Sequence, residues 1–556
     1  MKRFLVIILL YMATLPVVCF GGDLQEKRLN SGLRSTEAYS YLLIEKAREN
    51  RAESAQLLNE AVINSPDLPA VYFELAKAGF SLSSTGIFES INSIVEGLSA
   101  YSRNFWWSFT FAGSLFFSLI ISFVASMAII IAIRFPGDIQ LFAHDLKEVK
   151  KTLPILILLP ILSFASPLLF LAGMLILLGI YMKKLDRTVV YLFLVFLIFS
   201  PFVFKAASLF VHVLSSPSLK AVVEVNESKD NKYALAILKD RDDYASLFSY
   251  ALALKREGRY NEAVAVYQKL LQRRPDPKVY VNLGNCYVGL ENMEEAITYY
   301  LKAVEIKPLA SGYYNLSQIS RELLDYTKGS EYFKKALETN RDAVLDYRLL
   351  YSRHPNRIVA DEMLSFGELR ALATGDTGKT SAFGVTVLPA LFISGIAILL
   401  IILNFFLSNS IKNKAYRCRR CSAILCPTCE KRITWGQMCP VCYASIVKMD
   451  ELEVKERVAR LLSIYEHQKK RRDIMKILSF ILPGVSQIYA GKIVVGLLFL
   501  WPFLFFMFLP FTNTISAGAG LLFAHSFFTW AAIFFAGLIY IISNIITRER
   551  IVRGWL

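Results

Sequence analysis

Six cysteines are packed into the stretch from Cys418 to Cys442, in the pattern C-x2-C-x4-C-x2-C-x9-C-x2-C, with Cys421, Cys426, Cys429 and Cys439 between them. A C-x2-C turn brings two sulfurs to one side of a knuckle, and two facing knuckles make the tetrahedral thiolate cage that Zn²⁺ takes. The gap between the first and third pairs is that of a zinc ribbon, whereas the gap between the first and second is too tight for them to face each other. The favoured ligands are therefore Cys418, Cys421, Cys439 and Cys442. Cys426 and Cys429 either complete a second, partial site or remain as spare thiols. An all-thiolate set leaves no open position and no base stands nearby, so the expected cofactor is one structural zinc rather than a catalytic metal. The x2, x2, x3 run of an iron–sulfur protein is missing. His467, on the charged segment beyond Cys442, reads as a solvated helix residue. Metal thiolates must stay reduced, which puts this segment on the cytosolic side of a membrane.

The elements around the cysteines are apolar. The chain has 556 residues, 54% of them hydrophobic, with several runs long enough to span a bilayer. Its net charge of +16 is concentrated beside those runs, as in Lys183-Lys184-Leu185-Asp186-Arg187, Arg417 to Arg420 and Lys469 to Arg472. That is the positive-inside pattern of a polytopic membrane protein, so no nucleic-acid partner is expected. Residues 1–22 read as a signal peptide (Lys2-Arg3, then Phe4 to Val18), with an uncleaved anchor as the alternative.

Residues 23–104 are expected to be extracytoplasmic and helical, and residues 105–214 to hold about four transmembrane segments. A first span runs from about Phe109 to Ile133, and a polar loop follows from Arg134 to Thr152. The stretch Leu153 to Met182 is long for one crossing and short for two. A hairpin at Ser166-Pro167 keeps both Lys183–Arg187 and the cysteines inside, whereas a single crossing puts both outside, so the hairpin is preferred. Residues 215–383 are soluble again, 385–407 span, 411–447 hold the cysteine module and 448–473 form a charged helix. The C-terminal hairpin (474–547) and a basic cytosolic tail (548–556) complete the chain. Ionisable residues are nearly absent from the spans, with Lys205 and His212 near one end of a span as the ones worth probing for transport.

The soluble region carries a 33-residue period: Ala263, Ala296 and Gly329; then Tyr267, Tyr300 and Phe333; then Leu270, Ala303 and Ala336, with Pro275 and Pro308 closing two units. With Tyr280, Leu283, Gly284 and Tyr287 in the middle unit, this resembles the tetratricopeptide repeat family. The resemblance implies repeats at 244–276, 277–309 and 310–342, stacked as antiparallel helix pairs with a concave face that holds a peptide or a partner's helix. The third unit departs from the pattern at Ser317 and Gly329, and Asp342 to Ala373 is expected to continue the stack as capping helices. Residues 35–101 resemble two weaker repeats through Ala61, Pro66, Tyr72, Leu75 and Ala76. Cys286 reads as a small buried hydrophobe.

Two further patterns stand out. Ala373 to Thr380 fits a loose phosphate-loop pattern, but a helical segment precedes it where a strand is needed, so it reads as a juxtamembrane linker. Pro483-Gly484-Val485-Ser486-Gln487-Ile488-Tyr489-Ala490-Gly491-Lys492 resembles a short bacterial membrane-hairpin module. The likeness implies two spans after it, about Ile493 to Phe511 and Leu521 to Ile546, with Gln487 and Tyr489 capping backbone groups or meeting lipid. The whole resembles a group of bacterial inner-membrane proteins that join outer helical repeats, a six-cysteine knuckle and this terminal hairpin.

The expected class is mainly α: a polytopic helical membrane protein with an α-solenoid and a small zinc-ribbon-like module. The expected function is a non-enzymatic scaffold or receptor of the bacterial inner membrane, compatible with membership of a larger envelope complex. Its solenoid would be periplasmic, and its cysteine module and C-terminus cytosolic. The alternative is a membrane-embedded enzyme or transporter with the repeats as a docking domain.

Overall fold

A computed structural model describes residues 36–149, 162–353, 359–375, 390–410, 415–418, 420–426, 439–440, 442–443, 454–517 and 526–553. The signal-peptide expectation and Cys429 lie outside these residues, as does the first part of the Leu153 to Met182 stretch. The chain is mostly helical and divides into two compact units. One contains residues 36–109 and 213–375, the other 110–212 and 390–553.

In the first unit, three helix pairs carry the repeat period: Tyr244–Arg256 with Tyr260–Arg273, Pro277–Gly289 with Met293–Ile306, and Ala310–Glu322 with Tyr326–Thr339. Each pair opens on a capped first helix or closes on a capped second one. Asp243 and Asp276 accept from Ser246 and Lys278 amides, and Asn292 and Asp325 from Glu295 and Lys328 amides. Tyr267 and Tyr300 are fully buried, and Val281, Ala296, Tyr300, Ala303, Leu316 and Ile319 form one core between repeats. The third repeat departs from its neighbours by an exchange. Ser317 carries a side chain where Gly284 has none, Gly329 lacks the methyl of Ala296, and the Ser317 hydroxyl donates to the Gly329 carbonyl at 2.8 Å.

The turn inside each pair needs a left-handed residue at one register: Gly258 (φ 77°), Glu291 (φ 60°) and Leu324 (φ 63°). Only the first is glycine, so the other two carry the Cβ penalty.

Residues 36–103 add two more pairs, Glu37–Glu49 with Ser54–Asn64 and Pro69–Ala78 with Ser84–Arg103. They belong to the same unit as the repeats although the whole stretch 110–212 separates them in sequence. The link is polar and half-buried. Lys229 Nζ lies 2.8 Å from Glu37 and 2.8 Å from Glu227, and Glu227 also accepts the Phe105 amide that opens the next helix.

Two expectations are corrected, the first in part. The helix Arg341–Arg353 caps the last repeat pair, with Val344 in one core with Tyr314 and Ala336, but the capping does not run on as helix to Ala373. Residues 359–365 are neither helix nor strand, and the helix Phe366–Gly375 follows. Nor is the stretch that begins at Arg134 a loop. The helix Phe105–Val149 runs 45 residues without a break, through Pro136, and Arg134 and Asp138 pair within it at 2.7 Å. At about 1.5 Å per residue it is roughly twice the length a bilayer core requires.

Among the described residues three helical stretches are long and apolar enough to cross a membrane: Phe105–Asp145, Ile493–Ile515 and Phe528–Val552. A fourth is the pair Thr188–Ile198 and Ser200–Ser215 counted together, bent by 58°. The bend falls beside Pro201, which has no amide to continue the ladder. Ala390–Ser410 and Pro167–Gly179 are further apolar helices. A helical turn at 162–165 ends at Ser166, whose hydroxyl caps the next helix, so the break expected at Ser166-Pro167 is present. Thr110, Ser114, Ser118, Ser122 and Ser126 form a buried stripe at every fourth position, and Ser114 and Ser118 meet Asn513 and Thr512 of another helix. Small polar side chains at this spacing let helices approach closely in lipid.

The C-terminal module begins on Gly484, at φ 84°, where a Cβ would lie 2.2 Å from the Gly496 carbonyl oxygen. Gln487 is fully buried and donates to Thr547 at 2.6 Å. It therefore ties two helices together rather than capping backbone or meeting lipid.

The recurrent left-handed turn makes a prediction. Leu324 is exposed, so Leu324→Gly removes strain without removing packing and raises the unfolding free energy by about 1 kcal/mol. Gly258→Ala lowers it by about the same amount. Denaturant melts monitored by far-UV circular dichroism read both.

Candidate metal centre and concave face

The cysteine module starts from a short hairpin, Tyr416–Arg417 paired antiparallel with Ile424–Leu425. Ser422, at φ 60°, closes the turn, and the Cys418 amide donates to the Ala423 carbonyl. This folds Cys418 and Cys421 to one side. Cys439 and Cys442 come from a second knuckle, in which the Cys442 amide donates to the Cys439 sulfur at 3.3 Å and the Cys439 amide to the Cys418 sulfur at 3.3 Å. The four Sγ atoms lie within 4.8 Å of one another, and Cys421 and Cys439 are 3.7 Å apart. Sulfurs about 2.3 Å from a tetrahedral zinc are about 3.8 Å from each other, so the cage fits a metal ion of that kind.

Electrostatics point the same way. Burial raises the Cys418 thiol, but the amides of Cys421, Cys439 and Arg420 outweigh it and bring it down to about 7. Burial raises Cys439 and Cys442 as well, and for both the neighbouring Cys418 charge adds to the rise. Four sulfurs this close cannot all ionise alone. A divalent cation removes the conflict.

The set brought together is thus the one favoured from spacing. Cys426 is not in it. It is buried against Leu141 and Ala415, and its sulfur is disulfide-bonded, so it is neither a spare thiol nor a member of the four-sulfur group. His467 is not simply solvated, for its Nε2 lies 2.9 Å from the Ser422 hydroxyl at the knuckle turn. The module also rests on the extension of the long helix. Asp145 accepts the Ala415 amide at 3.1 Å, and Arg417 donates to the Gly137 carbonyl and to Gln140.

The second candidate site is the face formed by the first helices of the repeats, the one the family's concave surface uses, where a row of asparagines is buried. Asn282 and Asn315 stand one repeat period apart, both fully buried. Asn315 accepts the Ala360 amide at 2.7 Å and donates to the Ala360 carbonyl at 2.9 Å. Asn282 does the same for Glu362, at 2.9 Å in each direction. Asn226 accepts the Leu364 amide at 2.7 Å. Asn285 donates to both the Ala360 carbonyl and Asp361, and is oriented by the Tyr300 hydroxyl. Asp361 lies 2.6 Å from Lys255 and 3.3 Å from Arg256, and Ser311 donates to Glu362. The extended segment 359–365 is therefore held along the face by its backbone and two acidic side chains.

Sequence reasoning missed these asparagines. The signal was the recurrence of Asn282 and Asn315 at the repeat period, on helices otherwise lined with small and apolar residues. Cys286 sits among them as the buried hydrophobe expected, its thiol pushed by burial up to about 12. Of the phosphate-loop pattern, Ala373 is buried in the helix Phe366–Gly375, and 376–380 lie outside the described residues. Lys205 is exposed.

Tetratricopeptide repeat family models match residues 240–311 and residues 310–342. No curated protein matches the chain. The solenoid segment is therefore built of tetratricopeptide repeats, units that serve protein–protein interaction.

The sulfur geometry predicts a stoichiometry. The purified chain binds about one zinc, and Cys418→Ser or Cys439→Ser loses it, whereas Cys426→Ser keeps it. Elemental analysis and a cobalt-exchange thiolate spectrum read the result.

Proposed function

We propose that this protein is a non-enzymatic membrane scaffold or receptor. It recognises protein partners through the repeats and is joined through its spans to a small structural zinc module. The single observation that carries the reading is the concave face, which hydrogen-bonds an extended chain by its backbone through an asparagine ladder. That is machinery for holding a polypeptide. The zinc, held by Cys418, Cys421, Cys439 and Cys442, would fix the knuckles and do no chemistry, since four thiolates close its coordination.

The contacts within each unit also support a topology. Residues 36–109 and 213–375 share one unit, which favours an even number of crossings between them. With one crossing in the helix Phe105–Val149 and one in the bent pair, Leu153 to Met182 then enters and leaves on the same side, as a hairpin does. One further crossing in Ala390–Ser410 puts the cysteine module opposite the repeats. The contacts of Asp145 with Ala415, and of Asp186 with the Val494 amide at 3.1 Å, agree with this arrangement. Lys183, Lys184, Arg187, Arg417 and Lys469 to Arg472 then share a side, which positive-inside makes cytosolic. The repeats fall in the periplasm of a bacterial inner membrane, and reduced metal thiolates agree with the cytosolic side.

Alkaline phosphatase fused after Leu214 should be active, and a fluorescent protein fused after Leu407 should fluoresce in the cytosol. The reverse pattern overturns the topology. Photo-crosslinking residues placed on the concave face should capture a discrete protein partner that the same residues on the convex face do not. Equal labelling of both faces overturns the receptor reading.

A further inference from the structure

The groove that a partner would use is filled by the chain itself. We propose that the concave face reads an extended acidic strand of the type small–Asp–Glu–x–apolar, and that 359–365 is a resident copy of that ligand, which a protein partner's segment of the same chemistry displaces. The inference rests on the receptor reading and names the chemistry of its partner.

The register is the first ground. Asn315, Asn282 and Asn226 take the backbones of Ala360, Glu362 and Leu364, which are alternate residues of one extended strand. One repeat step along the solenoid, from Asn315 to Asn282, thus matches a step to the next-but-one residue along the strand. Backbone pairing of this kind accepts any extended chain in the same register, so each bond that 359–365 makes can be remade by a competitor.

The side chains supply selectivity. Ala360 and Leu364 are buried, and between them Asp361 faces Lys255, Arg256 and Asn285. The Arg256 side chain is 1% exposed. Without a carboxylate opposite, it would be left as a buried, poorly compensated charge. The groove therefore favours an occupant with an acid at that position. Glu362 extends the preference, since Ser311 donates to its carboxylate and its amide and carbonyl are both clasped by Asn282.

Exchange is the second ground. The segment has no secondary structure of its own, and among its residues only Ala360 and Leu364 are apolar and buried. It is held by hydrogen bonds and by the Asp361 ion pairs, all of which a strand of the same chemistry can remake, so exchange costs less than unfolding the helices beneath it.

The test uses the full chain in detergent micelles and a fluorescent peptide of residues 359–366. In excess peptide, the amides of Ala360, Glu362 and Leu364 in the intact chain should exchange hydrogen at least tenfold faster, while those of Pro277–Gly289 keep their rates. The peptide's polarisation should saturate over the same range. A peptide carrying Asp361→Asn and Glu362→Gln should neither bind nor release the segment. The chain variant Asp361→Asn should bind the original peptide at least tenfold more tightly than the parent, because its own segment competes less well. Unchanged protection at saturating peptide makes 359–365 a permanent part of the fold and overturns the proposal, even if the variant fails to fold. Equal binding of the amide peptide overturns the acidic specificity. A crosslinked partner whose capture ignores the peptide leaves the receptor reading intact and removes only this one.

Discussion

Lys229, half-buried between Glu37 and Glu227, is the interaction on which much else depends. Burial alone would strip its charge, yet the two carboxylates more than compensate and hold it protonated well above the usual lysine range. Breaking such a site by removing one partner leaves an uncompensated charge, so its members are held together once they meet. Through it, a helix from the start of the chain, the opening of the long helix at Phe105 and the approach to the repeats become one body. The stretch between residues 110 and 212 therefore begins and ends in sequence at that body.

The legible parts of the sequence were those where one residue type has one physical reason to be there. Ala296 and Tyr300 recur because close-packed helices need a gap and a filler, and both are fully buried. The cysteine spacing selected the four sulfurs that meet, because a knuckle has a fixed reach. The illegible parts had competing explanations. Arg134 and Asp138 look like a solvated loop beside a span, yet as an i, i+4 pair they meet along one helix face and extend it. Asn282 and Asn315 look like ordinary helix polar residues until the strand they hold is in view. Gln487 looks suited to lipid headgroups, but its partner Thr547 lies far along the chain, where no local pattern reaches.

The cysteine module shows the same division between local and distant causes. Its hairpin and knuckles follow from Ser422 and the C-x2-C turns, all close in sequence. Its seat does not. Ala415 and Arg417 bind the Gly137 to Asp145 stretch, which belongs to the first long helix, and Ile464 and His467 approach from the helix Val454–Ile481. A small knuckle has too little apolar surface to hold its place alone, and here it borrows that surface from longer helices.

The tether at 359–365 also sets a scale. A ligand joined to its own site by a short linker is present there at an effective concentration of the order of millimolar, whatever the cellular abundance of the chain. A competitor that diffuses freely at micromolar levels is outnumbered about a thousandfold at each groove. The advantage shrinks when the rival is itself confined to the same membrane plane, or is displayed in several copies on one assembly. A self-filled groove of this kind is a threshold element: deaf to dilute strands, responsive to crowded ones.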